Sequence, residues 1–443
     1  MIRIYEKSLD ELNRKEEILI RNLREADISE SVSEIIKDVA TNGDEALRYY
    51  SKKFDGFVPD TIEVSREEIE RVYEEYSKSS PETISALENA AARITRFHQA
   101  QLREDFELTE KKDSDGSVSV LLMQKVNPLK RVGLYTPGGT ASYPSTLLMN
   151  AIPARIAGVE EIIMASPPSK GGTIAPVILA AACIAGVDRV FRVGGVQAIA
   201  AFTYGTESIP AVDIITGPGN AYVAEAKKQV FGKVGVDMIA GPSEILIIAE
   251  DSPKGKVNED AVILAADLIS QAEHDTMATA VLITTDKELG FAVADEIEIQ
   301  LKELPREEIA REAIENYGKI IIVDSMDEAL DLANELAPEH LELYVNNPFQ
   351  YMDRIRNAGS VFLGKNCPEA IGDYYAGPNQ ILPTNGTARF RSPLSVDDFV
   401  KKTSFTYYTI DSLERDAGDV IQLAREEGLE GHAKSTLARI RKK

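Results

Sequence analysis

The chain has 443 residues, 44% of them apolar and 27% charged, with a formal net charge of −23. That length suits about three domains of ~150 residues with ample core, and the acidic balance argues against nucleic acid or an anionic membrane as partner. Two cysteines in unlike contexts, no signal-peptide pattern at the first residues and no apolar run of the ~18 residues a membrane span needs point to a reducing cytoplasm.

Residues 1–116 read as a helical region expected to pack on the second α/β unit. Ile28, Val32, Ile35, Ile36 and Val39 trace one helical face that ends at Asn42-Gly43, and a shorter helix ends at Gly56. Ser65 with Glu68 forms a capping box. Ser80-Pro81 opens a helix with Ile84, Leu87, Ala91, Ile94 and His98 on one stripe, so His98 reads as a packing residue.

From 117 to 240 the pattern changes to strands at 118–123 and 132–135, followed by helix–strand pairs at 144–157 with 161–165, 173–186 with 189–193 and 196–204 with 212–216. Residues 241–385 repeat the rhythm: strands near 245–249, 280–284, 319–323, 341–345 and 360–363 alternate with helices near 261–274, 287–302, 327–336 and 348–357. Such alternation implies right-handed crossovers and mostly parallel sheets. Residues 386–443 read as a polar helical tail, with a capping box at Ser395 and Asp398, a helix over 411–427 and another from about 432. A tail like this buries little alone and is expected on the body or on a second subunit. The fold class is α/β, with two incomplete Rossmann-like parallel-sheet domains, a helical N-terminal region and a helical C-terminal tail.

Three strand-to-helix turns are rich in glycine: Tyr135-Thr-Pro-Gly-Gly139, Val193-Gly-Gly-Val-Gln197 and Thr216-Gly-Pro-Gly-Asn220. In a parallel sheet they share the carboxyl edge, where helix N-termini favour phosphate. None is G-x-G-x-x-G, and sharp turns need glycine anyway, but three on one edge beside Tyr135, Gln197 and Asn220 suggest a nucleotide cleft.

Of the four histidines, three stand among carboxylates or amides: Gln271-Ala-Glu-His274, Ala337-Pro-Glu-His340 and Glu427-Gly-Leu-Glu-Gly-His432. Gln271 and His274 sit three apart and share a face at the end of an apolar helix, where buried polar groups need partners. A metal is one such partner; a helix end facing water is the plain alternative. Asp373, in Gly372-Asp-Tyr-Tyr-Ala-Gly-Pro, offers a carboxylate in a glycine-bounded loop. A mixed nitrogen and oxygen set suits zinc, or alternatively manganese. Glu339 and His340 are adjacent titratable groups whose side chains would point to opposite sides of an extended segment. A surface pair at a strand start is the rival reading.

With Gly241-Pro-Ser-Glu-Ile, Asp267-Leu-Ile-Ser-Gln-Ala-Glu-His274, Ala337-Pro-Glu-His-Leu, the three glycine turns, Gly372-Asp-Tyr-Tyr-Ala-Gly-Pro-Asn and the Glu427/His432 tail, the chain resembles the histidinol dehydrogenases over nearly its whole length. The resemblance implies zinc held by Gln271, His274, Asp373 and His432, and NAD contacts from Tyr135, Gln197 and Asn220. It implies substrate contacts from Ser243, Glu427 and His340 besides the metal ligands, and a homodimer whose tails complete each other's sites. It also implies oxidation of L-histidinol through L-histidinal to L-histidine, with His340 as general base and Glu339 activating water. Gln380 departs from the pattern, standing where the family usually has a histidine. It is either a positioning group or a sign that the substrate is another amino alcohol or diol. A metal-dependent hydrolase would use the same ligands without needing the glycine turns, and a two-lobed ligand receptor would need an export signal.

Overall fold

The computed structural model describes residues 1–6, 28–56, 58, 60–112, 115–138, 143–169 and 171–440. Gly139, which closes the first glycine turn, lies outside them. By contacts the chain forms two compact units, one of residues 1–101 and 130–399, the other of 102–129 and 400–443.

In chain order the elements begin with strand β1 (Arg3–Glu6), helix α1 (Ser29–Tyr50), strand β2 (Glu63–Val64) and helices α2 (Arg66–Ser79) and α3 (Pro81–Gln99). Strands β3 (Phe106–Lys111) and β4 (Val118–Pro128) follow, then β5 (Arg131–Tyr135), α4 (Pro144–Ala157), β6 (Glu161–Ser166), α5 (Pro176–Ala185), β7 (Arg189–Arg192), α6 (Gly195–Tyr204), β8 (Ile214–Thr216), α7 (Ala221–Val230) and β9 (Gly235–Val236). The second series is β10 (Glu244–Ala249), α8 (Val257–Ala272), β11 (Thr279–Thr284), α9 (Lys287–Gln300), α10 (Glu307–Tyr317), β12 (Lys319–Ile322), α11 (Met326–Leu336), β13 (His340–Tyr344), β14 (Ser360–Leu363) and α12 (Glu369–Tyr374). Strand β15 (Val400–Tyr408) and helices α13 (Ile410–Glu426) and α14 (Glu430–Ile440) end the chain.

Two sheets carry the larger unit. The first runs β2-β7-β6-β5-β8-β9 and the second β1-β12-β11-β10-β13-β14. The five strands β5 to β9 are parallel, and so are β10 to β14. In each, the first strand of the series lies in the middle, the next two lie to one side and the last two to the other. The two halves therefore share one incomplete doubly wound topology, the expected α/β class. Strands such as Ile245–Ile248 are apolar and buried without alternation because helices cover both faces. The expected helix at 348–357 is a 3₁₀ segment, Pro348–Arg354, and α10 fills a stretch that the periodicity left blank.

The N-terminal region differs from expectation. Helix α1 packs on α6 and α7, α2 on α5, and α3 on α4 and α5, all belonging to the first sheet. The reason is apolar matching: Val32, Ile35, Ile36, Val39 and Leu47 share one core with Val196, Ile199, Phe202 and Val223. Strand β1 pairs with β12 and so joins the second sheet. The kink falls at Asn42-Gly43, where Gly43 takes φ 52° inside α1.

In each sheet the strand order reverses beside its central strand, and in the first sheet this switch lies between β5 and β8. There Gly217 (φ 109°) passes so close to Tyr135 that a Cβ would sit 2.1 Å from the Tyr135 carbonyl oxygen. Backbone cannot yield as a flexible side chain does, so Gly217→Ala is expected to cost at least about 3 kcal/mol. The denaturant midpoint at constant slope reads this loss.

In the smaller unit β15, β4 and β3 form an antiparallel sheet, and α13 and α14 form a helical hairpin. Lys112 bonds Asp411 at 2.6 Å and Arg415 bonds Glu110 at 3.0 Å. The expected all-helical tail is thus corrected at 400–408, where Val-Lys-Lys-Thr-Ser-Phe-Thr-Tyr-Tyr pairs residue by residue with β4. Its faces are both exposed, so no buried side gave the sequence an alternating signature. Among the described residues no helix is long and apolar enough to cross a membrane.

Candidate active site

The catalytic candidates gather at the amino edge of the second sheet. Glu244 opens β10, His340 opens β13, and the two strands pair with Ile245 opposite His340. Helix α11 stops at Ala337 (φ 50°), and Pro338, which cannot continue a helix, follows it before Glu339. Gly359 lets the start of β14 approach, since a Cβ there would meet the Glu339 carbonyl oxygen at 2.5 Å.

Glu339 and His340 are 7% and 3% exposed, which rules out a solvent-facing surface pair. The Glu244 N–H donates to Glu339 Oε2 at 2.8 Å, and His340 Nδ1 lies 2.9 Å from the Glu244 carbonyl oxygen. That carbonyl can only accept, so Nδ1 carries the proton and Nε2 faces the other way. Nε2 sits 3.3 Å from Asp373 Oδ1. The two side chains do not diverge as an ideal strand would place them. Glu339 Oε2 comes within 3.7 Å of His340 Nδ1 because both turn toward Glu244.

Asp373 reaches His340 from α12, one turn after Glu369. His340, Glu369 and Asp373 can each offer a ligand atom within 4.8 Å of the others. Glu369 is a site residue that the sequence analysis missed, although Glu-x-x-x-Asp puts both carboxylates on one helix face. Gly372, between them, faces the Phe362 ring, where a Cβ would meet Cε1 at 2.5 Å. Gln271, in the last turn of α8, is fully buried against this group. With its amide nitrogen turned toward Glu369 it donates to Oε2 at 3.0 Å and accepts from the Glu244 N–H at 3.2 Å. His274 lies just past the helix end, its N–H bonded to the Gln271 carbonyl. The residue is exposed yet lies in the field of Asp373 and His340, and desolvation holds its pKa below the ordinary value. Ser243 precedes Glu244, its carbonyl accepting from the Thr279 N–H at 2.9 Å.

Electrostatics set the cluster apart, since perturbed titratable groups gather at functional sites. Burial pushes the Glu339 carboxyl up to about 8 and the Glu369 carboxyl also to about 8. Burial alone would lower His340, but Glu369, Glu339 and Asp373 outweigh it and hold the imidazole well above its ordinary pKa. A site this rich in crowded carboxylates, with an imidazole beside them and a Gln271 amide whose oxygen faces Glu369 in its other orientation, has the donor chemistry of a divalent cation site.

Gln380 sits beside the cluster. In either amide orientation it bonds Thr146, with Nε2 to Oγ1 at 2.6 Å in one; the other also brings its nitrogen to the Asp373 carbonyl. Thr146 lies in the first turn of α4, at the carboxyl edge of the first sheet, so Gln380 links the two sheets' edges. Asn379 donates to the Met149 carbonyl at 2.6 Å and lies 3.4 Å from His98 Nε2. His98 is fully buried and is a packing and hydrogen-bonding residue, as expected.

The carboxyl edge of the first sheet brings together Tyr135, Gln197 and Asn220. The Gly195 N–H donates to the Tyr135 hydroxyl at 3.0 Å. Gln197 is 1% exposed, and its Oε1 has no partner among the described residues. Asn220 caps α7 by accepting from the Tyr222 and Val223 N–H groups. The glycines serve the protein as well as any ligand: a Cβ at Gly138 or Gly194 would strike Pro167 at 2.6 or 2.4 Å, and one at Gly219 would strike Val223 at 2.4 Å. The orphaned Gln197 oxygen is therefore the better sign of a bound group.

Glu427 and His432 belong to the smaller unit. They flank the turn between α13 and α14, where Gly428 takes φ 74°, and both side chains are exposed.

Comparison with known proteins agrees with this picture. A family model described as histidinol dehydrogenase matches residues 20–440. A histidinol dehydrogenase of Geobacter sulfurreducens is 52% identical over 418 residues, covering 94% of this chain and 94% of that protein. One of Bacillus cereus is 50% identical over 414 residues, covering 94% and 93%. The crystal structure of histidinol dehydrogenase from Elizabethkingia anophelis superposes with a TM-score of 0.90 at 36% identity, covering 99% of this chain and 98% of its own.

Proposed function

This chain belongs to the histidinol dehydrogenase family and is an oxidoreductase acting on a small molecule. From that premise we propose that it oxidises L-histidinol through L-histidinal to L-histidine, in the last two steps of histidine biosynthesis in the cytoplasm, with two NAD and one water consumed. The observation that carries the reading is the convergence of Gln271, Glu339, His340, Glu369 and Asp373 on one buried cluster.

Zinc would be held by Gln271, His274 and Asp373, completed by His432, in a homodimer in which one subunit's tail closes the other's site. When bound, it supplies a fixed point for the substrate's amine and imidazole nitrogens, a matter of orientation more than of Lewis acidity. NAD, against Tyr135, Gln197 and Asn220, supplies the hydride acceptor in both oxidations. Ser243 and Glu427 hold the substrate's polar ends. His340 Nε2, with Nδ1 fixed on the Glu244 carbonyl, takes the alcohol proton in the first oxidation. Glu339 takes a proton from the water that adds to the aldehyde carbon. After giving up its first proton to solvent, His340 takes the hydrate's proton in the second oxidation. Gln380, bonded to Thr146 and, with its amide turned, to the Asp373 carbonyl, acts as a positioning group that does not change charge at neutral pH.

Metal removal tests the substrate-binding part of this reading. Dialysis against a chelator is expected to weaken L-histidinol binding, measured by calorimetry, by about 100-fold or more, the loss of one ordered anchor at ~3 kcal/mol. Zinc should restore it, and NAD affinity should not move. Unchanged histidinol affinity in the metal-free protein would refute the role given to Gln271, His274 and Asp373.

A further inference from the structure

The cleft read as the dinucleotide site holds an acidic group that no step above uses. Asp55 ends the π-helical turn Ser51–Asp55 that follows α1, just before Gly56 in the left-handed conformation. The topology places this turn on the carboxyl edge of the first sheet. Asp44, earlier in α1, accepts from the Ser208 N–H at 3.3 Å, beyond the C-terminus of α6 and so on the amino side. From there α1 packs along α6 toward its start. After the turn, the Arg192 N–H donates to the Ile62 carbonyl at 2.7 Å, and β2 runs antiparallel to β7 from that end. The turn Ser51–Asp55 therefore lies toward the end of β7 and the start of α6, on the side of Gly195 and Gln197.

Asp55 Oδ2 is closed off from solvent and has no hydrogen-bond partner among the described residues, and the same holds for Gln197 Oε1 and Thr216 Oγ1. A carboxylate held this way is costly. Burial pushes its carboxyl up to about 6, and its charge is felt by the Tyr135 hydroxyl. An acceptor-only group at this edge calls for a ligand part that donates and carries no negative charge there. A ribose diol does both; a phosphate does neither.

Which ribose follows from the faces of the sheet. Right-handed crossovers put α4 and α5 on one face and α6 and α7 on the other, and the packing agrees: α1 with α6 and α7, α3 with α4 and α5. The reacting end of the dinucleotide must lie on the α4 side, where Thr146 meets Gln380 next to Asp373. Asp55 stands on the α6 side, toward the far end. We propose that Asp55 is a ribose-binding residue that grips the 2′,3′-diol of the adenosine half of NAD and so selects NAD over NADP, whose 2′-phosphate it would repel. This rests on the reading that NAD binds the first sheet's carboxyl edge.

Calorimetry of NAD and NADP with the zinc-loaded enzyme tests it, using Asp55→Ala, Asp55→Asn and, as a separate control for the cleft, Gln197→Ala. Asp55→Ala should weaken NAD binding about 10- to 100-fold, the loss of charge-assisted hydrogen bonds. NADP affinity should hold or rise, so that the preference for NAD shrinks at least about tenfold. Histidinol affinity should stay as in the parent enzyme, and Asp55→Asn should melt at a higher temperature because an uncompensated buried acid is gone. The proposal fails if both Asp55 variants bind NAD like the parent while Gln197→Ala binds it worse. It fails as well if NAD and NADP weaken equally with a lower melting temperature, which would make Asp55 structural. If neither Asp55→Ala nor Gln197→Ala weakens NAD, the reading of this edge as the NAD site fails first and takes the proposal with it.

Discussion

Replacing His340 with alanine is expected to lower turnover of both L-histidinol and L-histidinal by about 10²–10⁴-fold, the usual contribution of a positioned general base. The expectation rests on geometry: Nδ1 is committed to the Glu244 carbonyl, so a single nitrogen, Nε2, faces Asp373 and the metal-ligand candidates. In the proposed reaction both oxidations need a proton taken from an oxygen at that point. The pH dependence has a definite sign. Glu369, Glu339 and Asp373 raise the imidazole pKa, and a protonated ring cannot accept, so kcat/KM should climb with pH as His340 loses its proton. Alanine at this position should abolish that limb. An His340→Ala enzyme that kept one oxidation intact would contradict the shared role.

Glu339→Gln is expected to act on one half only. Glutamine keeps an oxygen to accept from the Glu244 N–H, which now bonds Glu339 Oε2 at 2.8 Å, so the strand start should not move. What it loses is the ability to take a proton from water. With L-histidinal supplied, turnover should fall about 10²-fold or more, while single-turnover oxidation of L-histidinol stays within a few-fold. Equal losses on both substrates would refute the division of labour between Glu339 and His340. Since burial raises the Glu339 carboxyl to about 8, the aldehyde step should also gain as pH rises toward that value, where the carboxylate form accumulates.

Much of this was readable in the sequence because it is local. Strand–helix alternation gave the two α/β halves, and Gln271, His274, Glu339, His340 and Asp373 stood out as polar groups in apolar or glycine-bounded settings. What was not readable is non-local. The cluster lies at the amino edge of the second sheet, the opposite of the usual ligand edge of open α/β folds, because the strand order sets β10 beside β13. No spacing in the chain reveals that Glu244 supplies both the N–H to Glu339 and the carbonyl to His340. Glu369 hid because one carboxylate on a short helix reads as surface until its partner Asp373 and the buried Gln271 are seen around it. Strands β3 and β15 hid because neither has a buried face, and the apolar stripe of α1 does not name its partner, which is the first half and not the second.

The most direct measurement is the yield of NADH from limiting L-histidinol, with the organic product identified. Two NADH for each L-histidinol, with L-histidine as the sole end product and no free aldehyde, is the outcome expected of the roles proposed for Glu339 and His340. One NADH with L-histidinal left over, or none at all, contradicts it.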